Sequence, residues 1–127
     1  MLYWYERWVR EGKCSEEHRK PMREYIYELL RLDLVDSFFF FDCSPEEAMR
    51  REYQHAMTTK QGSNMNEKTL TEARDIYKRV LEGVNREVPQ VRISVVDTTH
   101  LDIKETRAEI LRLLLPTLCA RFGVVNP

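Results

Sequence analysis

At 127 residues the chain has room for one domain of ordinary size. Its composition, 43% hydrophobic and 32% charged, supports a packed core and argues against intrinsic disorder. Twenty basic residues against twenty-one acidic ones leave a formal charge of −1, so no field of one sign marks a nucleic-acid or membrane partner. The longest apolar run, Phe38 to Phe41, is four residues, far short of the roughly 18 that a membrane span needs.

In chain order, residues Leu2 to Arg10 read as a helix with Trp4 and Trp8 one turn apart, expected to pack in a core or interface. Charges interrupt this opening segment too early for a secretion signal. Gly12 stands where such a helix would end. Cys14, Cys43 and Cys119 are too few and too scattered for a disulfide framework or a zinc site, and are expected as reduced cytoplasmic thiols. A second helix is expected to open near Pro21, with Met22, Tyr25, Ile26, Leu29 and Leu30 on one face.

The periodicity then changes. Ser37-Phe38-Phe39-Phe40-Phe41 does not alternate, so both faces ask for burial, as in an interior strand of a parallel sheet. Asp42-Cys43-Ser44-Pro45-Glu46-Glu47 follows as a helix start, with Ser44 as N-cap, Pro45 as first helical residue and Glu47 at the capping-box position. Residues Thr58 to Asn66 are polar, contain Gly62 and read as a loop. A long helix to about Arg86 carries Leu70, Ala73, Tyr77, Val80, Leu81 and Val84 at spacings of three and four. After Pro89 comes a second strand, Val91 to Asp97. Thr98 to Leu101 turn the chain into a helix capped by Asp102 and Glu105, which Pro116 is expected to kink or stop.

Strands joined through helices imply right-handed parallel crossovers and an α/β class, here about two parallel strands with about five helices in a partial three-layer arrangement. Two strands fall short of the usual sheet of about five or six. The helices are plentiful and the sheet is not.

The order of a strand, Asp42-Cys43-Ser44-Pro45-Glu46-Glu47-Ala48-Met49-Arg50-Arg51, a long helix, the Val91 to Asp97 strand and the Asp102 helix resembles the C-terminal, lid-bearing half of P-loop nucleoside and nucleotide kinases. Deoxynucleoside kinases and thymidylate kinases are the nearest in pattern. The resemblance covers nearly the whole chain while corresponding to about half of such an enzyme. It implies that Arg50 or Arg51 is the arginine at the base of the lid, meeting phosphate oxygens during transfer. It implies a lid over Glu52 to Asn66, with Lys60 as a second phosphate contact. Asp97, Thr98 and Thr99 would border the adenine. ATP and Mg²⁺ are implied for the complete enzyme, with neither held tightly by this chain alone, and a nucleoside or nucleotide as the acceptor.

Bland explanations compete at each position. Helix capping accounts for Ser44 to Glu47, and Arg50 and Arg51 have Glu46, Glu47 and Glu52 nearby for surface ion pairs. His18, His55 and His100 are far apart with no partner at ligand spacing, so no metal site is expected. Phosphoryl transfer needs a G-x-x-x-x-G-K-[ST] loop, and the one Gly-Lys pair, Gly12-Lys13, is followed by Cys14 and preceded by no strand. The expectation is therefore part of a cytoplasmic ATP-dependent phosphotransferase, inactive alone. The alternative is a non-catalytic α/β module that associates through an exposed sheet edge, with its own copy as one partner.

Overall fold

A computed structural model describes residues 1–55 and 66–123. Among these residues five helices and one two-stranded parallel sheet follow in the order α1 (Leu2–Arg10), α2 (Glu16–Arg31), β1 (Ser37–Asp42), α3 (Pro45–His55), α4 (Glu67–Glu87), β2 (Arg92–Asp97) and α5 (Ile103–Phe122). The α/β class and the small strand number expected from the sequence are both present. No helix among the described residues is long and apolar enough to cross a membrane.

The chain divides into two compact units. One joins residues 1–36 to residues 68–92, and the other joins residues 37–67 to residues 93–127. In the first unit the most deeply buried side chains are Tyr27, Ile76, Val84, Val88 and Val91. Tyr3 of α1 stacks on Tyr77 of α4, ring centroids 4.4 Å apart and planes 17° from parallel. At the far end of α2, Arg31 Nη2 donates to the carbonyl of Glu87 at 3.0 Å, closing the last turns of α2 and α4 together. Trp4 and Trp8 stay 50% and 40% exposed. They lean on each other and on Tyr3 and Tyr5, so the aromatic contact that joins the helices runs through a tyrosine beside them.

Two helix boundaries differ from expectation for local reasons. The helix α2 opens at Glu16 because the Ser15 hydroxyl accepts from the amide of His18, and Pro21 lies inside the helix. A proline there removes one amide from the ladder, a cost the helix carries in its second turn. Likewise α5 runs through Pro116 to Phe122 and ends on Gly123 at φ 62°. Gly12, at φ 68°, does close α1 as its position suggests.

In the second unit the strands lie side by side, with the amide of Thr98 donating to the carbonyl of Asp42 at 2.8 Å where they end. Thr98 Oγ1 donates to the same carbonyl at 3.0 Å, and both Thr98 and Asp42 are buried. The phenylalanine run is only partly covered: Phe39 and Phe40 are half-buried, whereas Phe38 and Phe41 are 37% and 49% exposed. Among the described residues the strand has a hydrogen-bonded neighbour on one edge, and its two faces, which carry the phenylalanine rings, are incompletely covered.

Candidate functional groove

The second unit brings the end of β1, the helix α3, the turn after β2 and the start of α5 to one place. Two strand-to-helix turns meet there because the parallel strands end together. The Ser44 hydroxyl accepts from the amide of Glu47 at 3.2 Å and so caps α3 as its sequence promised. The second half of that capping box is absent. The Ser44 amide, which a capping-box glutamate would satisfy, donates instead to Thr99 Oγ1 of the other turn at 3.1 Å. Glu47 is thereby released for other work.

Its carboxylate gathers both arginines. Arg50 Nε donates to Glu47 Oε2 and Arg50 Nη2 to Glu47 Oε1, each at 2.6 Å, in a two-point fork. Arg50 Nη1 donates to Gln54 Oε1 at 2.5 Å. Arg51 Nε donates to Glu47 Oε1 at 2.7 Å. Hydrogen bonds from Arg50 above all, with Arg51 adding to them, hold the Glu47 carboxyl at a pKa of about 2, against an ordinary 4.5.

The other end of Arg51 reaches across to the turn. Its Nη2 lies 2.6 Å from the carbonyl oxygen of Thr98 and 3.3 Å from those of Thr99 and Leu101. A nitrogen with two hydrogens cannot make three full bonds, so the Thr98 contact dominates and the others share the second proton. Arg51 is thus a tether between α3 and the loop after β2. Opposite it, Asp102 caps α5 with a complete box: its Oδ1 accepts from the Glu105 amide, and Glu105 Oε2 accepts from the Asp102 amide, both at 2.8 Å.

Between these walls runs an open groove of about 960 Å³. Its α3 side is Glu47, Arg50, Arg51 and Gln54; its floor is the loop from Thr99 to Asp102; its far side is Ile103, Lys104, Thr106 and Arg107 of α5. Of the residues singled out from sequence, Arg50, Arg51 and Thr99 line the groove. Thr98 is buried beneath it, and Asp97 faces a neighbouring cleft on the β2–α5 side, its Oδ1 accepting from the Thr99 amide at 2.9 Å. Lys60 and the central lid residues lie outside the described residues.

Several groove residues had no role assigned from sequence, among them His100, Lys104 and Arg107. The signal for the last two was present, since the Asp102–Glu105 box fixes where α5 starts and therefore which side chains share its first face. His100, Lys104 and Arg107 have no hydrogen-bond or ion-pair partner among the described residues. Among the described residues no three His, Cys, Asp or Glu side chains gather as a metal site, and both groove carboxylates are already engaged. The groove suits a ligand with an apolar body, for Leu101 and Ile103, and negative charge, for the cations on both walls. Comparison with protein-family models, with curated proteins and with solved structures finds no match.

Proposed function

We propose that this chain supplies the lid-bearing part of a cytoplasmic, ATP-dependent phosphotransferase acting on a nucleoside or nucleotide, with the phosphate-binding loop provided elsewhere. One observation supports it most: the arginine pair, assigned to phosphate, and Thr99, one of the three residues assigned to the adenine border, line the same groove. In this reading Arg51 positions the adenine-side loop through its bonds to the Thr98, Thr99 and Leu101 carbonyls. The backbone amide and carbonyl of His100 have no hydrogen-bond partner among the described residues and are the polar groups that would read a base edge. Arg50, 53% exposed, is the arginine able to leave Glu47 for a transferring phosphoryl group.

The test is an amide chemical-shift titration with adenosine and with ATP. Shifts confined to the 99–107 segment and α3 are expected, with weak affinity and no turnover. Shifts scattered over both units, or phosphoryl transfer by the isolated chain, would refute the assignment.

A second reading has its own observation. Phe38, Phe41 and Val95 are exposed on a sheet that has two strands among the described residues, which favours a non-catalytic module that adds a strand at its open edge. Sedimentation decides it: a stable monomer at micromolar concentration removes self-association.

A further inference from the structure

The groove's charges are unequally committed. It is lined by four arginine or lysine side chains, Arg50, Arg51, Lys104 and Arg107, and by two carboxylates, Glu47 and Asp102. Glu47 is shared by Arg50 and Arg51, and Asp102 is spent on the Glu105 amide. Asp102 also closes the α5 terminus, so the backbone there is not what would attract an anion. What remains is Lys104 and Arg107, three residues apart on one face of α5, exposed and with no partner among the described residues.

We infer that Lys104 and Arg107, rather than the arginine pair of α3, make the first contacts to a phosphate chain entering this groove. An anion reaching Arg50 must displace a two-point fork to Glu47, and one reaching Arg51 must loosen the tether on the loop. Lys104 and Arg107 exchange only water. They lie on the α5 wall, beside Leu101 and Ile103, so a ligand can seat an apolar body on the loop while its charge rests on α5. The ligand class is a phosphate ester or oligophosphate. This rests on the groove being the ligand site proposed above, although it assigns the charge to residues that reading left unused.

The experiment is an amide chemical-shift titration at low ionic strength with three probes: inorganic tripolyphosphate, adenosine and ATP. Wild-type protein is compared with K104Q/R107Q and with R50Q. Two exposed charge pairs lost together should weaken tripolyphosphate and ATP by about tenfold, leave adenosine unchanged, and exceed the effect of R50Q. The wild-type affinity for tripolyphosphate should also fall as salt rises. If K104Q/R107Q binds tripolyphosphate like wild type, or R50Q is the weaker binder, the inference is overturned while adenosine binding leaves the nucleotide reading standing. If tripolyphosphate binds through Lys104 and Arg107 but adenosine does not perturb the loop, the anion contacts stand and the nucleotide reading fails. Absence of saturable shifts with tripolyphosphate overturns the inference outright.

Discussion

Gly83, in the C-terminal third of α4, sits against the buried ring of Tyr27 from α2, and replacing it with alanine sets two known effects against each other. A Cβ at position 83 would stand 2.7 Å from the Tyr27 hydroxyl oxygen and 4.0 Å from Cζ. The first distance is a clash and the second an ordinary contact. Tyr27 is only 4% exposed, so its ring has little room to swing aside. Overpacking of this kind costs about 1–3 kcal/mol. Against it stands the backbone gain of alanine over glycine inside a helix, about 1 kcal/mol. The deep overlap puts the steric cost in the upper part of its range, so Gly83→Ala should destabilise by about 1–2 kcal/mol. Removing the hydroxyl with Tyr27→Phe removes the clash and leaves the gain, so in that background Gly83→Ala should stabilise by about 1 kcal/mol. The sign reverses. Urea unfolding of the wild type, both single variants and the double variant measures the cycle, with an expected coupling of about 2–3 kcal/mol. Stabilisation by Gly83→Ala in the wild-type background, or coupling near zero, would refute the α2–α4 packing described here.

The remaining predictions concern the groove. Arg51→Ala should cost about 1–2 kcal/mol, because one short charged hydrogen bond and its weaker companions are lost from a side chain that is about one-third exposed; urea unfolding reads it, and Arg51→Lys should recover only part. Glu47 titrates at about 2 in the folded chain and ordinarily near 4.5, so its contribution is complete above pH 4.5 and fades as pH falls toward 2. The stability advantage of wild type over Glu47→Gln should shrink across that window, and a constant difference would show that the carboxylate is not held by the arginines. Thr99→Val deprives the Ser44 amide of its acceptor and should cost about 1 kcal/mol, with Thr99→Ser restoring it. An unchanged denaturation midpoint for Thr99→Val would mean that Glu47 has turned back to complete the box.

What could be read from the sequence followed the range of the forces involved. The strand beginning at Ser37, the Ser44 cap and the Asp102–Glu105 box depend on neighbours within a few residues, and each appears where its pattern put it. Pro21 and Pro116 misled because a single lost amide is a modest penalty inside helices fixed by other contacts. Glu47 misled for a different reason. Its local role was taken by Thr99, 55 positions beyond Ser44, and no pattern within α3 could reveal that. The groove was half legible: the arginines and Thr99 came from motif order, whereas Lys104 and Arg107 needed the knowledge that the α5 face turns toward α3. The exposed Phe41 marks the opposite failure, since a run of apolar residues states a demand for burial and not whether anything meets it.

The bond from the Ser44 amide to Thr99 also bears on how the chain acquires its structure. A helix start closed by its own glutamate can form as soon as its first turn does, on the timescale of local contacts. Here the donor finds its acceptor only after 55 residues have been brought round and the two strand ends lie side by side. During synthesis from the N-terminus α3 emerges before Thr99, so its Ser44 amide has no Thr99 acceptor until the later segment follows. The bond from the Ser44 amide to Thr99 is thus a late event tied to loop closure, whereas the pairs of Glu47 with Arg50 and Arg51, three and four residues apart on α3, need only the helix itself. Assembly of the groove and satisfaction of the Ser44 amide are thereby tied to one docking event, while the Ser44 hydroxyl cap on the Glu47 amide is available from the start.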